Sequence, residues 1–187
     1  FSLRGSEAEA LFDFEEGLWT MDADREQIAQ VIQNMVLNSV QAMSGGGRIE
    51  VSCGNELLYE GNEQRLPAGR YVRLSIRDNG MGIPRDDLKK VFNPYFTTKA
   101  DGTGLGLATS YSIVKKHSGA IHVNSEEGEG TEFMIHLPAA VDSRGTRRTG
   151  ESGKDLKGIE NASVLIMDDD PKVRAVLRSM LEILGYE

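Results

Sequence analysis

The chain has 187 residues, is 39% hydrophobic, and carries 21 Lys and Arg against 29 Asp and Glu, a formal net charge of −8. That length allows one domain of ordinary size with a remainder, and the apolar content supplies a packed core, while the acidic balance excludes nucleic acid as the main partner because phosphate backbones attract basic faces. The single cysteine, Cys53, excludes an internal disulfide and a cysteine-built metal cluster, which suits a reducing compartment. No apolar run approaches the ~20 residues needed to span a bilayer, and no charged-then-apolar signal segment opens the chain. The expected location of this piece is therefore cytoplasmic, without membrane contact. It begins at Phe1 without an initiator Met and ends just after a helix-like run, the pattern expected of a fragment from a longer protein.

Residues 1–20 carry alternating and turn signals, around Phe1-Ser2-Leu3 and Ala10-Leu11-Phe12, that suit one or two strands at a sheet edge. From Asp24 to Met43, Ile28, Val31, Ile32, Met35 and Val36 recur at helical spacing, and Asp24 with Gln27 has the pattern of a capping box. Ser44-Gly45-Gly46-Gly47 ends that helix. Arg48 to Cys53 alternates as a strand, residues 54–69 form a polar excursion, and Tyr71 to Arg77 alternates again and runs into Asp78; these two strands are expected to pair antiparallel. Arg85 to Val91 reads as a short helix and Gly106 to His117 as a longer one. Ala120 to Asn124 and Thr131 to Leu137 close a hairpin through Gly128-Glu129-Gly130, and Pro138 ends the regular pattern. Helices gathered on one face of a mixed, mainly antiparallel sheet make a two-layer α+β sandwich.

Residues 141–160 are rich in Ser, Gly, Thr, Arg and Lys and read as a linker after a domain spanning 1–140. Beyond it, Val164 to Met167 has the composition of a buried strand, Asp168-Asp169-Asp170 follows its carboxyl end, and Pro171 can start a helix. A lone strand and helix bury too little to stand alone, so this segment, 161–187, is expected to pack on the main domain or on a second copy of the chain.

The residues that can carry chemistry cluster in four places. Asn34 and Asn38 lie four apart on the first helix, with Gln41 on the next turn, so their amides share one face. An amide oxygen suits Mg²⁺, a hard cation that prefers oxygen. Asp78 ends a strand and precedes Asn79-Gly80-Met81-Gly82-Ile83-Pro84; in a pocket, its carboxyl oxygens can accept the exocyclic amine of adenine and offer nothing to the carbonyl of guanine. Phe92, Phe96 and Lys99 lie between this loop and a second glycine loop, Gly102-Thr103-Gly104-Leu105-Gly106-Leu107, which feeds a helix whose free N-terminal amides favour a phosphate. Glycines in both loops let backbone amides approach a ligand.

In this order the motifs resemble the ATP-binding catalytic domain of two-component sensor histidine kinases, within the superfamily that includes gyrase, Hsp90 and MutL. Asn34 to Ala42 is similar to the N box, Asp78 to Pro84 to the G1 box, Val91 to Lys99 to the F box and Gly102 to Leu107 to the G2 box, with Gly128 to Phe133 and Leu137-Pro138 matching the closing hairpin. The resemblance covers residues 1–138 and implies a Bergerat-type ATP-binding fold. It implies that Asn38 ligates Mg²⁺, that Asn34 supports the phosphates, that Asp78 receives the adenine amine, and that Thr131 contacts the base. Thr97, Thr98 and Lys99 then belong to a short lid over the triphosphate, with Lys99 on a phosphate and Phe92 and Phe96 as anchors. Gly80, Gly82 and Ile83 line the base end, and Gln41 stands where many relatives have Lys or Arg. ATPases of the superfamily place a water-activating Glu where this chain has Asn34, and an amide cannot take a proton. The resemblance thus implies γ-phosphoryl transfer to a histidine on a separate dimerisation domain, because His117, His122 and His136 all lack a phosphoacceptor context. The tail resembles the opening strand and helix of a response-regulator receiver domain, with Asp168 and Asp169 at the place of its Mg²⁺-site acids. That implies a hybrid parent kinase, with or without a membrane anchor, whose partners are the dimerisation domain and a receiver domain.

Overall fold

A computed structural model describes residues 8–43, 45–99 and 102–140, together with Arg178. The expected linker and the strand and helix of 161–187 lie outside the described residues. Strand β1 (Ala8–Phe14) leads to helix α1 (Arg25–Ala42), then to strands β2 (Gly47–Leu58) and β3 (Gly69–Asp78), a single-turn helix α2 (Arg85–Leu88), helix α3 (Gly106–Lys116), and the hairpin β4 (Ala120–Glu126) and β5 (Gly130–Pro138). The five strands form one sheet in the order β1-β2-β3-β5-β4. Only β1 and β2 run parallel, because α1 returns the chain across the sheet between them; the other three pairings are antiparallel. This is the α+β sandwich expected from the sequence, with the expected edge strand near residue 10 at one border.

Period-two alternation decides which side of each strand meets the helices. Ile49 and Val51 of β2, Ile76 of β3, Ile121 of β4 and Phe133, Ile135 and Leu137 of β5 join Val31, Met35, Val36 and Val40 of α1 and Ile113 and Val114 of α3 in one apolar core. Met35 and Val36 are completely buried. Each such side chain contributes roughly 1.5–3 kcal/mol relative to exposure, so α1 is held by its apolar stripe more than by helix propensity.

Several boundaries differ from those expected. Strand β2 runs on through Leu58 instead of ending at Cys53, and β3 begins at Gly69, because Gly54 to Leu58 keep register with Arg73 to Gly69. The polar residues of that extension are used: Asn55 accepts from the Trp19 amide at 2.8 Å and donates to the Gly17 carbonyl, which pins the β1–α1 connection. The helix expected over Arg85–Val91 is one turn, Arg85–Leu88, after which residues 89–95 continue as turns. Pro138 is still paired, opposite Tyr71, and Ala139 bridges Met21 before the pattern ends. The Asp24 cap also departs from a capping box: its carboxylate accepts from the amides of Glu26 and Gln27 as expected, but the Gln27 side chain donates to that same carboxylate. The Asp24 amide instead donates to His117 Nε2 at 3.0 Å, joining the start of α1 to the end of α3.

The sheet face away from the helices is polar and partly roofed by the β2–β3 loop. Asn62 knots that loop through the carbonyls of Tyr59 and Leu66 and the Leu66 amide, and the Tyr71 hydroxyl donates to Pro67. Beneath it His136, only 1% exposed, lies 3.0 Å from Glu56.

Candidate functional site

The residues singled out by sequence converge at one end of the sandwich, where the carboxyl end of β3, the last turns of α1 and the start of α3 meet. Asp78 is the last residue of β3 and is 3% exposed. Its Oδ1 accepts from the Gly80 amide at 3.0 Å and from the Thr131 amide at 3.2 Å, so both bonds end on one carboxyl oxygen. Thr131 stands opposite Asp78 in the β3–β5 register, and its hydroxyl lies 3.0 Å from Ser125 Oγ. Gly130, at φ +109°, leaves no room for a side chain because a Cβ would strike the Asp78 carbonyl.

The loop after Asp78 is fixed by close backbone approach. Met81 donates to the Ala42 carbonyl at the end of α1, and a Cβ on Gly80 would press on that same residue. Gly82, at φ +70°, passes so near the Glu126 carbonyl that only glycine fits. Ile83 packs against the core, and its amide donates to Ser125 Oγ at 2.8 Å. Ser125, which the sequence did not single out, therefore ties Ile83, Gly130 and Thr131 together. No local signal could have found it, since its partners lie on other segments.

Asn34, Asn38 and Gln41 occupy the α1 face directed at this loop system. The Asn34 amide donates to the Gly106 carbonyl and to Ser110 Oγ, at 3.0 and 3.1 Å, which fastens α1 to the first turn of α3. Asn38 donates its amide to the Asn34 carbonyl at 2.9 Å, and that bond turns Oδ1 outward, where it accepts from Lys99 Nζ at 3.0 Å. Gln41 Oε1 accepts from the same ammonium. Partial burial lowers the pKa of Lys99, against the opposing pull of the Asp78 charge.

The F-box segment divides between core and surface. Phe92 packs on the core and on Tyr111, with ring centres 5.6 Å apart, whereas Phe96 is half-buried beneath Lys90 Nζ at 5.8 Å. Thr97, Thr98 and Lys99 are exposed; Thr97 Oγ1 accepts the Lys99 amide, and Gly102 donates back to the Lys99 carbonyl. Tyr95, at φ +67°, donates to the Gly104 carbonyl at 2.9 Å and joins this segment to the second glycine loop. Thr103 and Leu105 are exposed, and Leu107 packs against the core. Helix α3 begins after Leu105 with no side-chain cap, so among the described residues its N-cap leaves the first amides without a capping side chain.

Among the described residues no group of three His, Cys, Asp or Glu side chains is placed to hold a metal. An outward-facing neutral amide oxygen is a donor that a hard cation can share with its own ligand. Asn38 Oδ1 fits that role chemically, since it already accepts a cationic donor. A cleft of about 270 Å³ lined by Asp22, His117 and Leu137 lies at the carboxyl end of α3 and contains none of these residues. No described helix is long and apolar enough to cross a membrane.

Comparison with known proteins agrees with this arrangement. Residues 23–141 match the family described as histidine kinase-, DNA gyrase B-, and HSP90-like ATPase. The sensor kinase CckA of Brucella abortus is 36% identical over 197 aligned residues, covering 98% of this chain and 21% of that protein. Sensor histidine kinase ZraS of Escherichia coli is 38% identical over 135 residues, 72% of this chain and 26% of that protein. The chain thus spans about a fifth to a quarter of these relatives. The nucleotide-free catalytic domain of histidine kinase ThkA superposes with a TM-score of 0.59 at 31% identity, covering 73% of this chain and 82% of that one. This chain belongs to the histidine kinase-, DNA gyrase B- and HSP90-like ATPase family and carries the ATPase domain of a sensor histidine kinase.

Proposed function

We propose that this domain binds Mg²⁺-ATP and donates the γ-phosphoryl group to a histidine on a separate dimerisation domain, in two-component signalling. The observation that carries this reading is the buried Asp78 carboxyl group, whose two backbone bonds both end on Oδ1. Its Oδ2 is then the acceptor for the adenine exocyclic amine, with Thr131, Gly80, Gly82 and Ile83 shaping the base end. The uncapped start of α3, from Gly102 to Leu107, takes the phosphates through its free amides and dipole. Thr97, Thr98 and Lys99 lie beside them, Phe96 supports that segment, and Lys99 supplies a positive charge to a phosphate oxygen. Asn38 is the protein ligand for Mg²⁺, which when bound neutralises charge on the transferring phosphoryl group.

The chain's own contribution is positioning. Asn34, fastened to Gly106 and Ser110, sets α1 against the phosphate-binding turn. The acceptor imidazole nitrogen forms the new bond to the γ-phosphorus as the bond to the ADP oxygen breaks, and holding donor and acceptor in line supplies most of the acceleration. Water activation is disfavoured, because the amide of Asn34 cannot take a proton.

The wider reading assigns 1–140 to catalysis, 141–160 to a linker and 161–187 to the start of a receiver domain, within a hybrid kinase whose cytoplasmic partners are its dimerisation domain and a receiver. Support for nucleotide as ligand also comes from the histidine kinase ShkA, solved in complex with AMPPNP. Mixing the chain with a cognate dimerisation domain and γ-labelled ATP is expected to yield labelled phosphohistidine. Normal ATP binding with no transfer would overturn the phosphotransfer reading.

A further inference from the structure

Three hydrogen bonds, two of them from one ammonium group, lie together on the α1 side of the site. Lys99 Nζ donates to Asn38 Oδ1 at 3.0 Å and to Gln41 Oε1, while the Asn38 amide nitrogen is committed to the Asn34 carbonyl. The last bond fixes which way Asn38 faces: its oxygen, not its nitrogen, meets the ammonium. Among the described residues no Asp or Glu side chain bonds to Lys99, and its positive charge is held by two neutral amide oxygens on successive turns of α1.

We propose that Lys99 is a tethered cation that occupies the divalent-ion position on Asn38 when nucleotide is absent, with Gln41 as the positioning residue that holds it there. This rests on the assignment of Asn38 as the metal ligand. An ammonium and a divalent ion seek the same feature, an outward-facing oxygen lone pair, and Asn38 presents one oxygen. Both cations on that oxygen would lie within a few ångströms of each other, with no carboxylate of the described residues bonded between them, and their repulsion makes the two states mutually exclusive. Only a ligand that brings its own negative charge removes the conflict, because its phosphates attract Lys99 and share the ion. The site therefore takes its metal as the metal–nucleotide complex and rejects the free ion. Gln41 suits this device: its amide oxygen accepts the lysine without neutralising it, so the hold is strong enough to block the bare ion and weak enough for a triphosphate to displace.

The test titrates Mn²⁺ into the nucleotide-free 187-residue chain and follows paramagnetic broadening of the Asn38 side-chain amide signal. Lys99→Met keeps the stem and removes the charge; the Mn²⁺ concentration for half-broadening is expected to fall by about tenfold or more, the scale of removing one like charge near the ion. Gln41→Leu, which leaves Lys99 with one acceptor, is expected to move it in the same direction by less. Half-broadening unchanged in both variants, or broadening that spares Asn38 in Lys99→Met, overturns the proposal. AMPPNP binding to the unsubstituted chain is measured separately by calorimetry. Absence of nucleotide binding there would overturn the functional reading, whereas the competition at Asn38 is decided by the nucleotide-free titration.

Discussion

Asp78 Oδ1 is saturated by the Gly80 and Thr131 amides, so an amide in place of this carboxyl group has to present one oxygen to those donors and its NH₂ to the ligand. Asp78→Asn then offers adenine a donor where its amine needs an acceptor. Losing a charged hydrogen bond of about 1.5–3 kcal/mol is expected to weaken ATP binding by roughly tenfold to a hundredfold and to erase the preference over GTP, as read by calorimetry with both nucleotides. Unchanged ATP affinity would refute the assignment. Asp78, Asn34 and Asn38 stand out in the sequence as candidates because each is marked by its neighbours: a strand end followed by glycines, or amides spaced on one helix face. Ser125, Ser110 and the grip of Asn38 and Gln41 on Lys99 were not, since each joins residues far apart in the chain and their side chains carry no local signature.

The elements meet through a few polar fasteners laid over the apolar core. His117 is one of them: Nδ1 lies 2.8 Å from the Ile113 carbonyl and Nε2 accepts from the Asp24 amide, so its Nδ1–H tautomer closes α3 onto the cap of α1. On the opposite face of the sheet, burial is the largest cause lowering the pKa of His122 from its ordinary 6.5, helped by His136 and Lys115 and opposed by the Gln64 backbone. The folded state therefore binds this proton less readily than the unfolded chain. Its favourable effect is complete above about 6.5 and is lost as pH falls below that value toward the lower folded pKa. Urea midpoints are expected to drop between about pH 7 and pH 5, and His122→Asn is expected to flatten that drop; equal slopes in the two proteins would refute it. The sequence pattern of β2 stops short of its true end for a related reason. Polar side chains over Gly54 to Glu56 look like loop, yet pairing with β3 and the Asn55 bonds to the β1–α1 connection hold them in the sheet.

At the scale of the whole molecule, the proposed nucleotide site draws on α1, β3, α3 and β5, and on that proposal ligand binding is coupled to stability, because unfolding scatters Asn38, Asp78, Gly106 and Thr131. AMPPNP with Mg²⁺ at about a hundred times its dissociation constant should add about 2.7 kcal/mol. For a domain of this size that raises the melting temperature by roughly 5–10 °C. A thermal scan with GTP in place of AMPPNP is expected to show a smaller shift, and equal shifts would count against Asp78 as the base-selecting residue. By itself the sequence determined the helix and strand types, the sheet-plus-helix class and the motif residues. Periodicity, capping residues and glycine loops are local properties that the chain carries wherever it folds. Tertiary structure alone decided the parallel β1–β2 pairing, the full length of β2, the closure of α3 on the α1 cap, and the placement of Lys99 on Asn38 and Gln41. Each of those depends on which distant groups satisfy one another once the core has brought them into reach, and no local pattern encodes that choice.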